Sequence, residues 1–528
     1  MPRSNRALDQ PRHRRDPSPA FGRWHWLLLL LATGLAGALR LTDLGEWSLW
    51  VDEAHTFRDA TMDLYGADGF LHQDRVLYPL TFLALRALLN LQWIGTDEYS
   101  LRLPFVLVGI VSVPVVALCG RSLIGTSASV LAAALCALNP WHIYWSQNAR
   151  GYILVFLFAT IAVNRAHAYA NSERARDLLA TIGAIGLAAL CHTTGGMLAV
   201  AFLAFLVLRR YPALGRRAIV SIVVVAIGMA FLLPWLVVHS PFQGFLKSKD
   251  QPSLLHFVMT TAYYFRPLVL LVGVVGLWLL RSTLGRDRAL LLGCLFVVPF
   301  FVLSVIGSQL VKVTARYAIC TLPVLVWLAA FACARLAAVI RQHAQETRWV
   351  RGAGAVLMPL LLAIEYGMHD LWYYGAQHGQ RAQWRQACDF VRTRAGTGAL
   401  RVLTVNQPTS LYYLLEQDSP TGPAKSAPPV LVLPLLDWMI EGEVKGAKGE
   451  RVKLHEPGGE NHLRWHLAQA HKDKALFVVM VTFPELEEQD KDDSVQFALQ
   501  RDFELALHLP CWVGPKDESI WVFVSKGA

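Results

Sequence analysis

The chain has 528 residues, of which 54% are hydrophobic and only 17% charged, with a formal net charge of +10. An ordinary soluble domain carries about 25% charged residues. This composition excludes a disordered protein and argues against a purely soluble enzyme.

The apolar residues cluster between Trp24 and Tyr366. The chain therefore divides into a basic N-terminus (1–23), a membrane domain (24–366) and a polar C-terminal domain (367–528). A spanning helix needs about 20 mostly apolar residues. Eleven stretches qualify, beginning near Trp24, Leu103, Thr126, Gly151, Leu178, Gly195, Ala218, Pro267, Ala289, Ala315 and Val350. A twelfth apolar stretch, 76–93, carries Arg86 in its middle and Pro79 near its start.

Short cytoplasmic loops are rich in Lys and Arg. The N-terminal Arg3, Arg6, Arg12, Arg14 and Arg15 therefore sit inside. The basic junctions at Arg121, Arg165, Arg174, Arg209, Arg217, Arg281, Arg288, Arg335 and Arg348 follow only if 76–93 does not cross. That stretch is read as a helix lying at the outer surface. The N-terminal segment reads as a topology anchor, not a nucleic-acid tail or cleavable signal peptide, since no small-residue cleavage site follows Leu27 to Leu31. The outer loops are then 44–102, 139–150, a turn near His192, 239–266 and 307–314, with the whole C-terminal domain on the same side.

In that domain, 384–394, 409–416, 462–471 and 494–502 read as helices, and 401–405, 430–433, 475–483 and 519–525 as strands. The alternation indicates a small α/β layer. Segments 421–429 and 442–459 read as loops. Six of the eight cysteines lie in or beside spans and act as small apolar residues. Cys388 and Cys511 lie in the outer domain, where oxidising conditions allow a disulfide. No metal-type CxxC or HExxH spacing occurs.

Three outer segments carry chemistry. The first holds Trp47, Trp50, Asp52, Glu53 and His55. Adjacent carboxylates at a helix start favour its dipole; the same pair in apolar surroundings, or beside a cation, suits a proton acceptor for an attacking hydroxyl. The second runs from Asn139 to Tyr152 and is dense in aromatic and hydrogen-bonding groups. Its Arg150 stands at an outer span end, against the charge trend, and so calls for an anionic partner: a lipid headgroup, a carboxylate or a phosphate. The third is Lys312-Val313-Thr314-Ala315-Arg316-Tyr317. Lys312 and Arg316 share a face if the helix starts early, and together suit either a phosphate or the membrane interface. Tyr263, Tyr264, Phe265, Arg266 and His256 read as membrane-surface cover, and His192 as a core residue.

These segments resemble the GT-C superfamily of integral-membrane glycosyltransferases, in its protein O-mannosyltransferase and aminoarabinose-transferase-like branch. The resemblance rests on Leu49-Trp50-Val51-Asp52-Glu53-Ala54, Ser100-Leu101-Arg102-Leu103-Pro104, Gly120-Arg121-Ser122, Ser146-Gln147-Asn148-Ala149-Arg150-Gly151-Tyr152 and Arg316-Tyr317. The Trp384-Arg385 and Tyr412-Tyr413 pairs are landmarks of the small outer domain that some bacterial members carry.

The resemblance implies an α-helical polytopic membrane protein of the inner or plasma membrane, with about 11 spans plus juxtamembrane helices and a small C-terminal α/β extracytoplasmic domain. It implies inverting transfer of a sugar from a polyprenyl-phosphate-linked donor to an acceptor hydroxyl on a protein, lipid or polysaccharide. Asp52 then matches the family's candidate base and Glu53 its catalytic neighbour. Arg150 and Tyr152 lie near the donor and Arg316 near its phosphate; Lys312, Tyr317 and His55 complete the candidate substrate-binding set. Relatives often have an acidic residue where this chain has Asn148, which weakens a two-loop divalent metal site without closing the question. The expected partners are the lipid-linked sugar, membrane lipids and the acceptor, with no nucleic acid. A lipid-linked-sugar flippase is disfavoured, because charges crowd one face and no repeat is evident. A non-catalytic envelope-assembly scaffold is the other alternative.

Overall fold

The computed structural model describes residues 20–66, 69–210, 220–221, 253–309, 313–343, 348–416, 430–435, 444–445, 451–452, 459–490, 493–513 and 516–526. Seven described helices are long and apolar enough to cross a bilayer: Arg23–Leu41, Glu98–Ile124, Tyr152–Ser172, Thr193–Arg210, Pro267–Leu284, Arg286–Ile306 and Ala315–Gln342. They coincide with seven of the eleven expected spans. Of the other four, Thr126–Leu138 and Ala175–Cys191 form shorter helices, and Arg348–Gly375 is a continuous helix with Pro359 inside it. The stretch beginning near Ala218 lies almost wholly outside the described residues, as do the N-terminal arginines.

The first helices in chain order are α1 (Arg23–Leu41), α2 (Val51–Thr61), α3 (Leu80–Asn90), α4 (Glu98–Ile124), α5 (Thr126–Leu138), α6 (Pro140–Ser146) and α7 (Tyr152–Ser172). The ambiguous stretch 76–93 forms α3, whose 11 residues cover only about 16 Å of the roughly 30 Å hydrocarbon layer. Its Arg86 reaches the carbonyls of Met62 (2.5 Å) and Ala60 (3.3 Å), closing the C-terminal end of α2. A cation there satisfies the last carbonyls and the helix dipole.

The membrane core sits between α4, α5, α7 and Leu322–His343. Trp327 is fully buried among them and donates its indole N–H to the Val116 carbonyl at 3.0 Å. Arg40, near the end of α1, is also fully buried. It donates to the carbonyls of Ala36, Cys136 and Ala137 and meets His142 Nδ1 at 2.6 Å, while His142 Nε2 meets Ser112 Oγ at 2.8 Å. This network fixes α6 against α1, α4 and α5. Asn139 caps α6 through His142 N, and Pro140 occupies its first position.

The C-terminal domain is a five-stranded mixed sheet. Its strands are β1 (Leu400–Thr404), β2 (Val430–Pro434), β5 (Leu476–Thr482), β6 (Phe503–Leu509) and β9 (Ile520–Ser525), in the order β2-β1-β5-β9-β6. β1 runs parallel to β2 and β5, with Leu400 opposite both Val430 and Leu476, whereas β9 is antiparallel to β5 and β6. Helices Trp384–Ala395, Gly459–Asp473 and Ser494–Asp502 accompany it. The sequence did not reveal β6, whose pattern leaves only Phe503 buried. Part of the expected loop 442–459 instead forms a hairpin of β3 (Val444–Lys445) and β4 (Arg451–Val452). β7 (Trp512–Val513) and β8 (Lys516–Asp517) make a second hairpin. Cys388 and Cys511 are both free and buried; Cys511 Sγ donates to the Arg381 carbonyl at 3.2 Å.

This domain is bound directly to the loop between α1 and α4. The Tyr413 hydroxyl accepts from Leu49 N at 2.6 Å and donates to Glu98 at 2.8 Å. Tyr412 donates to the Thr96 carbonyl, and Arg385 to Glu98 and the Gly45 carbonyl. Of the landmark residues, Arg385, Tyr412 and Tyr413 are thus interface residues.

Candidate active site

Three distant stretches converge on Asp52, in the first turn of α2. Its Oδ2 lies 3.5 Å from Arg316 Nη1 and 3.8 Å from Arg150 Nη2. Arg150 also donates to the Asp52 carbonyl (3.3 Å) and to Thr56 Oγ1 (3.2 Å). Arg316 opens the 3-10 turn Ala315–Thr321; its guanidinium donates to the Tyr317 hydroxyl at 3.2 Å and lies 5.2 Å from that ring's centroid. The Asp52 and Arg316 side chains stay partly open, with 23% and 30% of their surface exposed, whereas Arg150 keeps 10%.

Gly151 places Arg150. A Cβ at this residue would lie 2.4 Å from both the Cys191 carbonyl and Thr81 Oγ1, so only glycine lets the second loop pass so close. That approach brings the turn at His192 to the site. The His192 ring lies 4.5 Å from that of Tyr152, 5.2 Å from Tyr78 and 6.0 Å from Tyr317. Tyr152 also packs on Trp145 at 4.1 Å. The anionic and cationic trio is therefore bordered by an aromatic wall. His192 Nδ1 accepts from Thr194 N. Burial, with Arg150 and Arg316 nearby, pushes its pKa down to about 3, so the ring is neutral at physiological pH.

Burial alone would raise the Asp52 pKa, but Arg150 and Arg316 outweigh it and hold the carboxyl below its ordinary value. His55, one turn along α2, is kept neutral: burial comes first, then Arg58 and Arg75. Its Nδ1 is buried without a hydrogen-bond partner.

Glu53 departs from its expected catalytic place. Successive helical residues point about 100° apart, and Glu53 turns into the protein, where it is 1% exposed. Arg102 forks onto it, Nε to Oε1 at 2.9 Å and Nη2 to Oε2 at 2.8 Å. Ala149 N donates to Oε1 at 2.9 Å, and Arg381 Nε approaches Oε2 at 3.4 Å. Arg102 spends its remaining donors on the carbonyls of Leu44, Trp47 and Ser48. Glu53 is thus an enclosed junction of the first loop, the second loop, α4 and the C-terminal domain, with no open face toward a substrate. Lys312 lies outside the described residues.

The site does not fit a divalent cation. The Asp52 carboxylate already faces two guanidinium groups, and Asn148 joins the loops by accepting from Trp50 Nε1 at 2.7 Å and donating to the Tyr144 carbonyl. Among the described residues no group of three or more His, Cys, Asp or Glu is placed to hold a metal.

Sequence reasoning missed Tyr78, His192 and Arg381. The first two come from segments read as surface and core, and Arg381 lies just outside the Trp384-Arg385 landmark; none has a local signal, because chain topology alone brings them here.

The fold is similar to that of membrane glycosyltransferases of known structure, in keeping with the resemblance of the loop motifs. Residues 78–238 match the dolichyl-phosphate-mannose-protein mannosyltransferase family. The structure is similar to that of ArnT from Cupriavidus metallidurans bound to undecaprenyl phosphate, with a TM-score of 0.55 at 13% identity, covering 96% of this chain and 99% of that one. It is also similar to the oligosaccharyltransferase AglB from Archaeoglobus fulgidus in complex with an inhibitory peptide and a dolichol-phosphate, with a TM-score of 0.54 at 14% identity, covering 94% and 74%. At these identities the likeness is one of fold. No curated protein sequence matches the chain.

Proposed function

We propose that this chain transfers a sugar from a polyprenyl-phosphate-linked donor to an acceptor hydroxyl at the extracytoplasmic membrane face, in one inverting step. The observation that carries this reading is the meeting of Asp52 with Arg150 and Arg316 from three separate stretches. The placement of basic residues in the sequence supports the choice of face.

Arg150 and Arg316 hold the donor phosphate and neutralise the charge that develops on it as it leaves. The acceptor oxygen attacks the anomeric carbon, the bond from that carbon to the phosphate oxygen breaks, and the hydroxyl proton passes to Asp52. The products are the glycosylated acceptor and polyprenyl phosphate. In the resting site Asp52 is a weak base, because both arginines face it. A phosphate that shares their charge raises the basicity of Asp52 at the moment the donor is in place. Tyr78, Tyr152, Tyr317 and His192 offer neutral faces for the sugar or the first isoprenoid unit. The ArnT and AglB structures hold undecaprenyl phosphate and dolichol-phosphate, ligands of the class this site suits.

The test is sugar transfer in proteoliposomes containing the full chain, undecaprenyl-phosphate-linked mannose or aminoarabinose, and delipidated envelope extract as acceptor. Wild-type protein releases undecaprenyl phosphate from one of these donors and the Asp52→Asn variant does not. Equal release by both excludes Asp52 as the base.

A further inference from the structure

We infer that Arg381, in the C-terminal domain, is a positioning residue that sets the spacing of Asp52 and Arg150, so that this domain is part of the catalytic frame and not only a platform for the acceptor. The inference rests on the transferase reading for its activity readout, but not for its structural one.

Arg381 is 1% exposed and touches both loops of the site. Its Nε faces Glu53 Oε2 at 3.4 Å, beside Asp52 in the chain. Its Nη2 donates to the Gln147 carbonyl at 2.7 Å, three residues before Arg150. Its guanidinium lies 5.6 Å from the ring centroids of both Trp47, from the first loop, and Tyr144, from α6. One planar cation thus binds the first loop, the second loop and the C-terminal domain at once.

The segment that presents it is shaped for this contact. Arg381 Nη1 donates to the Gly379 carbonyl at 2.7 Å. Gly379 adopts φ +63, and a Cβ there would lie 2.2 Å from the Trp47 ring. On the other side the Arg381 carbonyl accepts from Cys511 Sγ, which precedes β7. The sheet end, Arg381 and Glu53 therefore form one continuous connection to the residue beside Asp52. Lysine supplies the charge without the planar fork or the stacking, so it is a partial substitute.

The effect reaches Asp52 through geometry. Glu53 accepts from Ala149 N on one side and faces Arg381 on the other. With Arg381 replaced, the second loop loses its bond from the C-terminal domain to the Gln147 carbonyl, and Glu53, still forked by Arg102, loses the cation that ties it to that domain. Arg150 then moves away from Asp52.

The experiment compares wild-type, Arg381→Met, Arg381→Lys and the doubly neutral Glu53→Gln/Arg381→Met proteins, all full length. Structures determined by electron cryomicroscopy give the Asp52–Arg150 separation, and turnover of the lipid-linked donor is followed against pH. Arg381→Met is expected to open the ion pair by more than about 2 Å, to lower kcat at least about 100-fold and to move the acid limb of kcat upward, because Asp52 loses a compensating cation. Arg381→Lys restores part of kcat. Arg381→Met keeps the buried Glu53–Arg102 pair and is expected to lose kcat with little loss of thermal stability, whereas the double variant leaves Arg102 without a counter-charge and melts lower; that contrast separates positioning from bulk stability. An unchanged Asp52–Arg150 separation in both Met variants overturns the inference. If wild-type protein shows no turnover while Arg381→Met still opens the pair, the transferase reading falls and the positioning role stands.

Discussion

Glu53 Oε1 accepts the backbone N–H of Ala149 at 2.9 Å, and each of these residues is the chain neighbour of one member of the Asp52–Arg150 ion pair. This buried bond lies beside the pair and, with the Trp50–Asn148 bond, ties together the two loops that supply it. The two adjacent carboxylates thus differ: Glu53 is enclosed in a saturated junction, whereas Asp52 stays partly open beside two arginines.

Glu53→Gln is expected to destabilise the protein by about 3–5 kcal/mol, because Arg102 and Arg381 stay buried with no counter-charge. Thermal unfolding of the detergent-solubilised protein measures this. A melting temperature within a degree of wild type contradicts the junction role.

Asp52 governs a pH dependence whose sign follows from its surroundings. Its pKa in the folded protein is depressed, so it binds a proton only as the pH falls through that lowered value, below the ordinary carboxylate pKa of about 4. The acid limb of kcat/KM, which reports the free enzyme, should therefore lie below about pH 4, with no contribution from this group between about pH 5 and 7. Arg316→Ala removes one of the two compensating cations and should move the limb upward. A downward shift, or none, contradicts the assignment.

Gly151→Ala is expected to reduce stability by about 1–3 kcal/mol through overpacking and to cost activity as well, because the added Cβ meets the Cys191 carbonyl beside Arg150. Comparison with Gly183→Ala, where a Cβ meets nothing within 4 Å, isolates the local effect in unfolding and turnover assays.

The membrane helices were legible because twenty-residue apolar runs have one physical solution in a bilayer. The parallel strands β1, β2 and β5 were legible as short apolar runs, whereas β6 was not, since its side chains are mostly exposed and its pairing is set by β9. In the site, Arg150 and Arg316 stood out as cations at outer span ends, whereas Asp52 was one of two adjacent carboxylates in the first outer loop and was singled out only by the resemblance. Glu53 could not be told from Asp52 by composition; only the direction each takes from the helix separates them. His192 looked like a core histidine until the close passage at Gly151 brought it beside Tyr152. Arg381 gave no signal, because its partners in the two site loops are more than two hundred residues away in the chain.

Binding of undecaprenyl phosphate to the full chain in nanodiscs, followed by native mass spectrometry, tests the shared site most directly. Arg150→Ala and Arg316→Ala should each weaken binding at least about tenfold, near 1.4 kcal/mol. Asp52→Asn should bind as tightly as wild type or more tightly, because the carboxylate that competes for both arginines is gone, while its sugar transfer is lost. Unchanged binding in the arginine variants, or weakened binding in Asp52→Asn, would contradict a site in which the arginines hold the lipid phosphate and the carboxylate serves the acceptor.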